Sequence, residues 1–148
     1  MDTSIQYGSM AHHPGIHALV LDWGYSVSEA ATRQWLDAIL ESPDHQIFVA
    51  VSGDLVVGWA VAEKRITLAQ GLVTEISALV VSSGFRRSGL GKRLVNAVEQ
   101  WSLSMGLHRL VVRSNVSRVE SHEFYPSIGF ELTKTSHVYT RDLVNSDQ

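Results

Sequence analysis

The stretch Val80–Lys92 (VVSSGFRRSGLGK) carries the residue types and spacing that point most directly to chemistry. An apolar strand runs into a turn rich in Gly, Ser and Arg, and the turn opens a helix. Backbone N–H groups at a helix start lack intrahelical acceptors, and the helix dipole adds partial positive charge there. Gly89 and Gly91 let that backbone approach a ligand closely. Arg86, Arg87, Lys92 and Arg93 add full positive charge on a chain that is otherwise slightly acidic. Together these features describe a cradle for a pyrophosphate. Two common nucleotide motifs do not fit. Gly84 and Gly89 are followed by Leu90, where a Gly-x-x-x-x-Gly-Lys-[Ser/Thr] loop needs lysine. Leu94 stands where a Gly-x-Gly-x-x-Gly loop needs its third glycine.

Two further groups of residues could do chemistry. Glu75 is the only acidic residue in the apolar run Leu72–Val81. A carboxylate there is partly desolvated, the setting in which a general base is tuned. The plainer alternatives are a solvent-facing residue or one held by an arginine. The seven histidines invite a metal reading, with His12 and His13 adjacent and His17 on the same helical face as His13. No His-Glu-x-x-His accompanies them, so no metal site is expected. His122, three residues before Tyr125, is a weak candidate for a proton relay, and its plainer reading is a partly exposed helix residue.

The elements that must position these groups follow from periodicity. Residues 4–10 suit a short first strand, and Ile16, Leu19 and Val20 sit at helical spacing. Ser26-Val27-Ser28-Glu29 reads as a capping box. Behind it Val27, Ala31, Trp35 and Ile39 form an apolar stripe on a helix. Two apolar runs, Ile47–Val51 and Leu55–Ala62, flank Ser52-Gly53-Asp54 as a hairpin, and Gly58 marks a bulge. Arg65–Gly71 is a polar loop and Leu72–Val81 a long strand. The helix from residue 89 to 105 buries Leu90, Leu94, Val98, Trp101 and Met105, and Gly106 stops it. Leu107–Val112 is a strand, Ser117–Glu120 a second capping box, and a short helix carries Phe124 and Ile128. A closing pair of strands runs to Thr133 and from His137 to Leu143. Helices mixed with hairpins imply an α+β fold with a mostly antiparallel sheet. The strand 72–81, the helix 89–105 and the strand 107–112 form one βαβ crossover, expected to be parallel and right-handed.

Composition bounds the rest. The chain has 148 residues, 45% of them hydrophobic, no cysteine and a net charge of −3. That length suits one domain over residues 1–144 with a short tail at 145–148, and it buries a core without disulfides. The apolar fraction excludes a disordered chain. Zero cysteine excludes a thiolate metal site, a disulfide framework and a cysteine nucleophile. The near-neutral, slightly acidic balance argues against electrostatic tracking of nucleic acid. There is no signal peptide pattern, and the longest apolar stretch, Leu55–Ala62, is too short to cross a bilayer. A cytoplasmic protein is the expectation.

Arg86-x-x-Gly89-x-Gly91 resembles the acyl-CoA pyrophosphate motif of the GNAT N-acetyltransferases. The strand Leu72–Val81 is similar to that family's fourth strand, and Val57-Gly58-Trp59 to its third. Asn115, followed by Phe124-Tyr125-x-x-x-Gly129-Phe130, is similar to a second signature. The likeness covers residues 45–140, and the first 40 or so match only as two helices. Two departures lie in the loop. The family often has Pro-Glu where this chain has Ser83-Gly84, and a glycine where it has Arg87. A third is Pro126, which directly follows Tyr125 and should end or kink the helix there.

The resemblance implies acetyl-CoA as cosubstrate and an N-acetyltransferase acting on a primary amine. Leu79, Val80, Val81, Arg86, Arg87, Ser88, Gly89, Leu90, Gly91, Lys92 and Asn115 would bind the cofactor. Tyr125 would protonate the departing thiolate. Thr74-Glu75-Ile76 stands where histone-acetyltransferase members carry a base glutamate. The chemical problem is the proton on the amine. At a pKa of about 10.4 only about one part in a thousand is neutral near pH 7, a barrier of roughly 4–5 kcal/mol. Without cysteine, direct attack in a ternary complex is the expected route. Asp22, Trp23, Tyr25, Glu29, Asp37, Glu41 and Asp44 make the N-terminal region acidic and aromatic, which suits a cationic acceptor. A small-molecule amine is the leading reading. A protein lysine or N-terminus, and a CoA-binding module without turnover, are the alternatives. The expected partners are acetyl-CoA and an amine acceptor, without nucleic acid or membrane, and a homodimer is left open.

Overall fold

A computed structural model describes residues 2–114 and 118–144. Contacts divide the chain into two compact units, Met1–Arg113 and Ser114–Gln148. The first unit holds one sheet in the order β1 (Thr3–Tyr7), β2 (His45–Ser52), β3 (Leu55–Thr67), β4 (Gly71–Val81) and β5 (Leu110–Val112). β1 to β4 pair antiparallel, and β4 and β5 pair parallel. The helices are α1 (His13–Asp22), α2 (Glu29–Glu41) and α3 (Leu90–Ser104), with α4 (Val119–Ser127) in the second unit. The expected α+β fold, with one parallel crossover through α3, is therefore present. Among the described residues no helix is long and apolar enough to cross a membrane.

The β-branched runs of β2 and β3 form a hairpin because Gly53, at φ +61°, turns the chain between them. Two bulges interrupt the ladders. The first lies between Ala50 and Val51, opposite Gly58 and Val56, at the glycine that marked it. The second lies in β4, where Val61 pairs with Ala78 and Ala62 with Ile76, so Ser77 has no cross-strand partner. Alternation sends successive side chains to opposite faces. On one face Trp59, Val61 and Val80 join Ile47, Val49 and Val51 under Ile16 and Leu19 of α1 and Leu36 of α2. On the other, α3 lies over Gly58. A Cβ at Gly58 would lie 3.0 Å from Val80 O and 3.3 Å from Leu94 Cδ1, so the glycine permits this close packing.

Several elements differ from the periodicity reading. Ser28, not Ser26, caps α2, its Oγ accepting from the Ala31 amide at 3.1 Å. The buried side is then Thr32 and Leu36, while Trp35 is 56% exposed. A threonine can face inward because its Oγ1 lies 2.8 Å from His17 Nδ1 on α1. On α3, Val95 and Ser102 are buried and Met105 is exposed; the Ser102 hydroxyl donates to Val98 O at 2.8 Å. β3 extends to Thr67 through the expected polar loop, and β5 starts only at Leu110. The second capping box begins at Ser117, outside the described residues. α4 carries Pro126 inside it and ends one residue later, at Ser127. The expected closing strands are absent: no residue from 130 to 144 is in a strand. Leu132, Val138, Tyr139 and Leu143 are exposed. An extended segment becomes a strand only by completing a ladder, and among the described residues this one completes none.

Candidate active site

The glycine-rich turn leaves β4 at Val81 and reaches α3 at Leu90. The Ser82 amide donates to Val57 O at 2.8 Å and the Phe85 amide to Ser82 O at 2.9 Å. The next backbone donation is from Arg93 to Gly89 O at 3.1 Å. Among the described residues, no amide from Arg86 to Lys92 donates to another residue. The Ser88 hydroxyl donates to Phe85 O, closing the turn. Gly89 caps the helix at φ +82°, in the left-handed region, with open space where a Cβ would stand. Arg87 is also left-handed, at φ +63°. It is the position at which the resembled pattern often has glycine, and a side chain there costs about 1–2 kcal/mol. Leu90 is buried, so only its backbone is available to a ligand. Arg93, counted above with the loop's charges, instead donates from Nη2 to Thr3 O on β1 at 2.8 Å.

β5 pairs with β4 only across Thr74–Ile76. Beyond that point Ser77–Val81 has no β5 neighbour, and this segment holds Leu79, Val80 and Val81. Parallel strands that part at their carboxyl ends open a crevice for ligands. The loop amides and this free edge are therefore consecutive along the chain.

Glu75 lies opposite Glu63 in the β3–β4 register, and Glu63 lies opposite His45. Their side chains form one row across the sheet. Arg65 Nη1 lies 2.6 Å from Glu75 Oε1, and Arg65 Nε lies 3.5 Å from Glu63 Oε1. Arg113 Nε lies 3.3 Å from the same Glu75 oxygen. His45 Nε2 lies 3.1 Å from Glu63 Oε2, and Ser42 Oγ 2.7 Å from His45 Nδ1. The Glu75 side chain is 14% exposed. Among the described residues, both of its ion pairs end on Oε1. The alternative of an arginine-held carboxylate is therefore realised, on one oxygen.

Trp59 stands opposite Val80, on the face of β3 that also carries Glu63 and Arg65. Its ring meets Trp23 edge-on at 6.2 Å, and Trp23 meets Tyr25 at 4.9 Å. Among the described residues, the buried Trp59 Nε1–H has no hydrogen-bond partner. Sequence reading assigned Trp23 and Tyr25 to the acceptor side but missed the place of Trp59. It also missed Arg65, which was placed in a loop, and Arg113. Hairpin pairing across Gly71 was the available signal for Arg65, because it sets residue 65 near residue 75. The histidines serve another purpose. His13 Nε2 lies 3.3 Å from Glu29 O, and with the His17–Thr32 contact it fastens α1 to α2. Among the described residues, no group of three metal-ligating side chains is placed to hold an ion.

In the second unit, Tyr125 packs against Phe124 and Phe130, with ring centroids 5.1 and 5.5 Å away. Burial pushes its hydroxyl pKa above the usual tyrosine value, partly opposed by the Arg118 charge. The phenol is therefore held protonated. Asn115, the expected pantetheine ligand, lies outside the described residues.

The chain is 24% identical over 109 residues to an aminoglycoside N(6')-acetyltransferase type 1 of Salmonella typhimurium, covering 71% of this chain and 75% of that protein. Among solved structures it is similar to the aminoglycoside N-acetyltransferase AAC(6')-Iy in complex with CoA. The TM-score is 0.88, with 20% identity and 96% of each chain covered. AAC(6')-Iy with the bisubstrate analog CoA-S-monomethyl-acetylneamine matches at TM-score 0.87 and 20% identity, covering 97% of this chain and 100% of that one. The family model described as Acetyltransferase (GNAT) family matches residues 15–130, more than half of the sequence, and this chain belongs to that family.

Proposed function

We propose that this protein transfers an acetyl group from acetyl-CoA to a primary amine of a small molecule, directly, within a ternary complex. The observation that carries the reading is the unbroken run of undonated amides from Arg86 to Lys92 at the head of α3. With Arg86, Arg87 and Lys92 beside it, the run suits a diphosphate in number of donors and sign of charge. The open volume over Gly89 leaves room for phosphate oxygens. Ser77–Val81, free of β5, would offer main-chain groups to the pantetheine arm and the thioester oxygen.

Acetyl-CoA supplies the acyl group as an activated thioester. The amine nitrogen bonds to the acetyl carbon, the carbon–sulfur bond breaks, and one proton leaves the nitrogen while another reaches the sulfur. Glu75 is the proposed acceptor of the amine proton. Tyr125, kept protonated by burial, is the proposed donor to the thiolate. No cysteine is present to carry an acyl group, which supports the one-step route. The aromatic pair Trp23 and Tyr25, backed by the buried Trp59, supports an acceptor with apolar ring faces and cationic amines. Relatives named as aminoglycoside N(6')-acetyltransferases support an amino sugar within that class. The test is thiol release from acetyl-CoA across a panel of amino sugars, aminoglycosides, polyamines and lysine peptides. Release with small amines, well above that with peptides, is expected. Acetyl-CoA binding without release from any acceptor overturns the enzyme reading in favour of a binding module.

A further inference from the structure

The carboxylate proposed as the base already holds cations. Arg65 bridges Glu75 at 2.6 Å and Glu63 at 3.5 Å, one guanidinium shared between two carboxylates on adjacent strands. We propose that Arg65 is a stand-in for the acceptor's ammonium: it occupies Glu75 when no amine is bound, and moves wholly onto Glu63 when one arrives. The inference rests on the acetyltransferase reading given above.

Four observations support it. First, the tighter contact of Arg65 is the one to Glu75, while the contact to Glu63 is long. A short shift of the side chain exchanges one carboxylate for the other without moving the strand. Second, Glu63 is prepared to receive it: its Oε2 lies 3.1 Å from His45 Nε2, and its Oε1 is the oxygen facing Arg65. Third, the Arg65 side chain is 34% exposed and Glu75 only 14%. The guanidinium therefore stands nearer solvent than the carboxylate it covers. Fourth, Glu63 and Glu75 are direct cross-strand partners, and two facing carboxylates repel unless a cation lies between them. An arriving ammonium on Glu75 keeps that balance while Arg65 stays on Glu63. Arg113 approaches the same Glu75 oxygen with Nε at 3.3 Å and its side chain is 61% exposed, so it steadies the carboxylate from outside.

The experiment measures kcat, acceptor KM and acetyl-CoA Kd for the full chain. It compares Arg65→Gln, Glu63→Gln and the double variant, using the amine from the panel that gives most thiol release. Arg65→Gln should lower acceptor KM about threefold, the scale of a partly exposed ion pair, with acetyl-CoA Kd unchanged. Glu63→Gln removes the retreat and should raise KM by a similar factor. The double variant should not show the raised KM of Glu63→Gln, because the retreat that change removes exists only while Arg65 is present. An Arg65→Gln enzyme with unchanged or raised KM, or one that loses only kcat, overturns the proposal and leaves Arg65 as a positioning residue for Glu75. If Arg65→Gln fails to fold, Glu63→Gln alone decides, and an unchanged or lowered KM overturns it. Absence of thiol release from the unaltered protein is a different outcome, and rejects the acetyltransferase reading itself.

Discussion

Gly89→Ala separates a structural glycine from a ligand-binding one. Gly89 has φ +82° and nothing within 4 Å of an added Cβ. Replacement therefore creates no clash in the free protein, and its cost is backbone strain alone, about 1 kcal/mol. Gly53, at φ +61° in the β2–β3 turn, has the same open surroundings and serves as an internal control. For a chain of this size, about 1 kcal/mol lowers Tm by about 2–4 °C. Gly53→Ala and Gly89→Ala should therefore melt alike. Their acetyl-CoA affinities should not be alike. The new methyl at position 89 stands in the space assigned to the phosphates, and should weaken binding about tenfold, or about 1.4 kcal/mol. Gly89→Glu adds a carboxylate there and should abolish binding. Calorimetric titration of acetyl-CoA, with thermal melts of the same samples, reads both effects. Wild-type affinity in Gly89→Ala, alongside the expected drop in Tm, would refute the placement of the pyrophosphate on this loop.

Three further outcomes follow from the geometry. Glu75→Gln keeps the shape but not the charge that Arg65 and Arg113 share. It should cut kcat about 100-fold and change the pH profile of turnover, and a normal profile retires Glu75 as the base. Tyr125→Phe should slow turnover about tenfold or more with acetyl-CoA affinity retained. Its raised pKa also has a stability sign. The folded state keeps a proton that the unfolded chain gives up near pH 10, so stability falls as pH rises above about 10, and Tyr125→Phe should flatten that fall in alkaline melts. Gly58→Ala would set a Cβ 3.0 Å from Val80 O, a main-chain atom of a central strand that cannot easily yield. A loss of about 1–3 kcal/mol is expected in denaturant unfolding.

What was legible in the sequence was local. The β4–turn–α3 unit could be read from an apolar run, a glycine pair and a periodic helix, because those signals lie within one short segment. Gly58 revealed a bulge for the same reason. The phase of α2 was not legible, since the residue that turns Thr32 inward is His17, on another helix. Glu75 could be singled out as the lone acid of its strand. Arg65 and Arg113, which decide what that acid is doing, come from two other stretches of chain and meet it only through strand pairing. The closing strands, to Thr133 and from His137 to Leu143, were expected from the local sequence, but a local stretch does not name the neighbour with which it would pair.

The unpaired Ser77 in β4 has a consequence for how this chain can change over time. Glu75 and Val80 are five positions apart, an odd number, and strict alternation would send them to opposite faces. The one-residue bulge at Ser77 restores parity, so that the carboxylate and Val80 both face the side of Trp59. Loss of a single residue between 76 and 79 would leave a strand with nearly the same composition and the same hairpin partner. The proposed base would then lie under α3, or the main chain after it would turn its other edge to the crevice. Chemistry in this protein thus hangs on counting: a length change of one in β4 acts as a switch, whereas a length change of one in the Thr67–Gly71 turn only alters a tip.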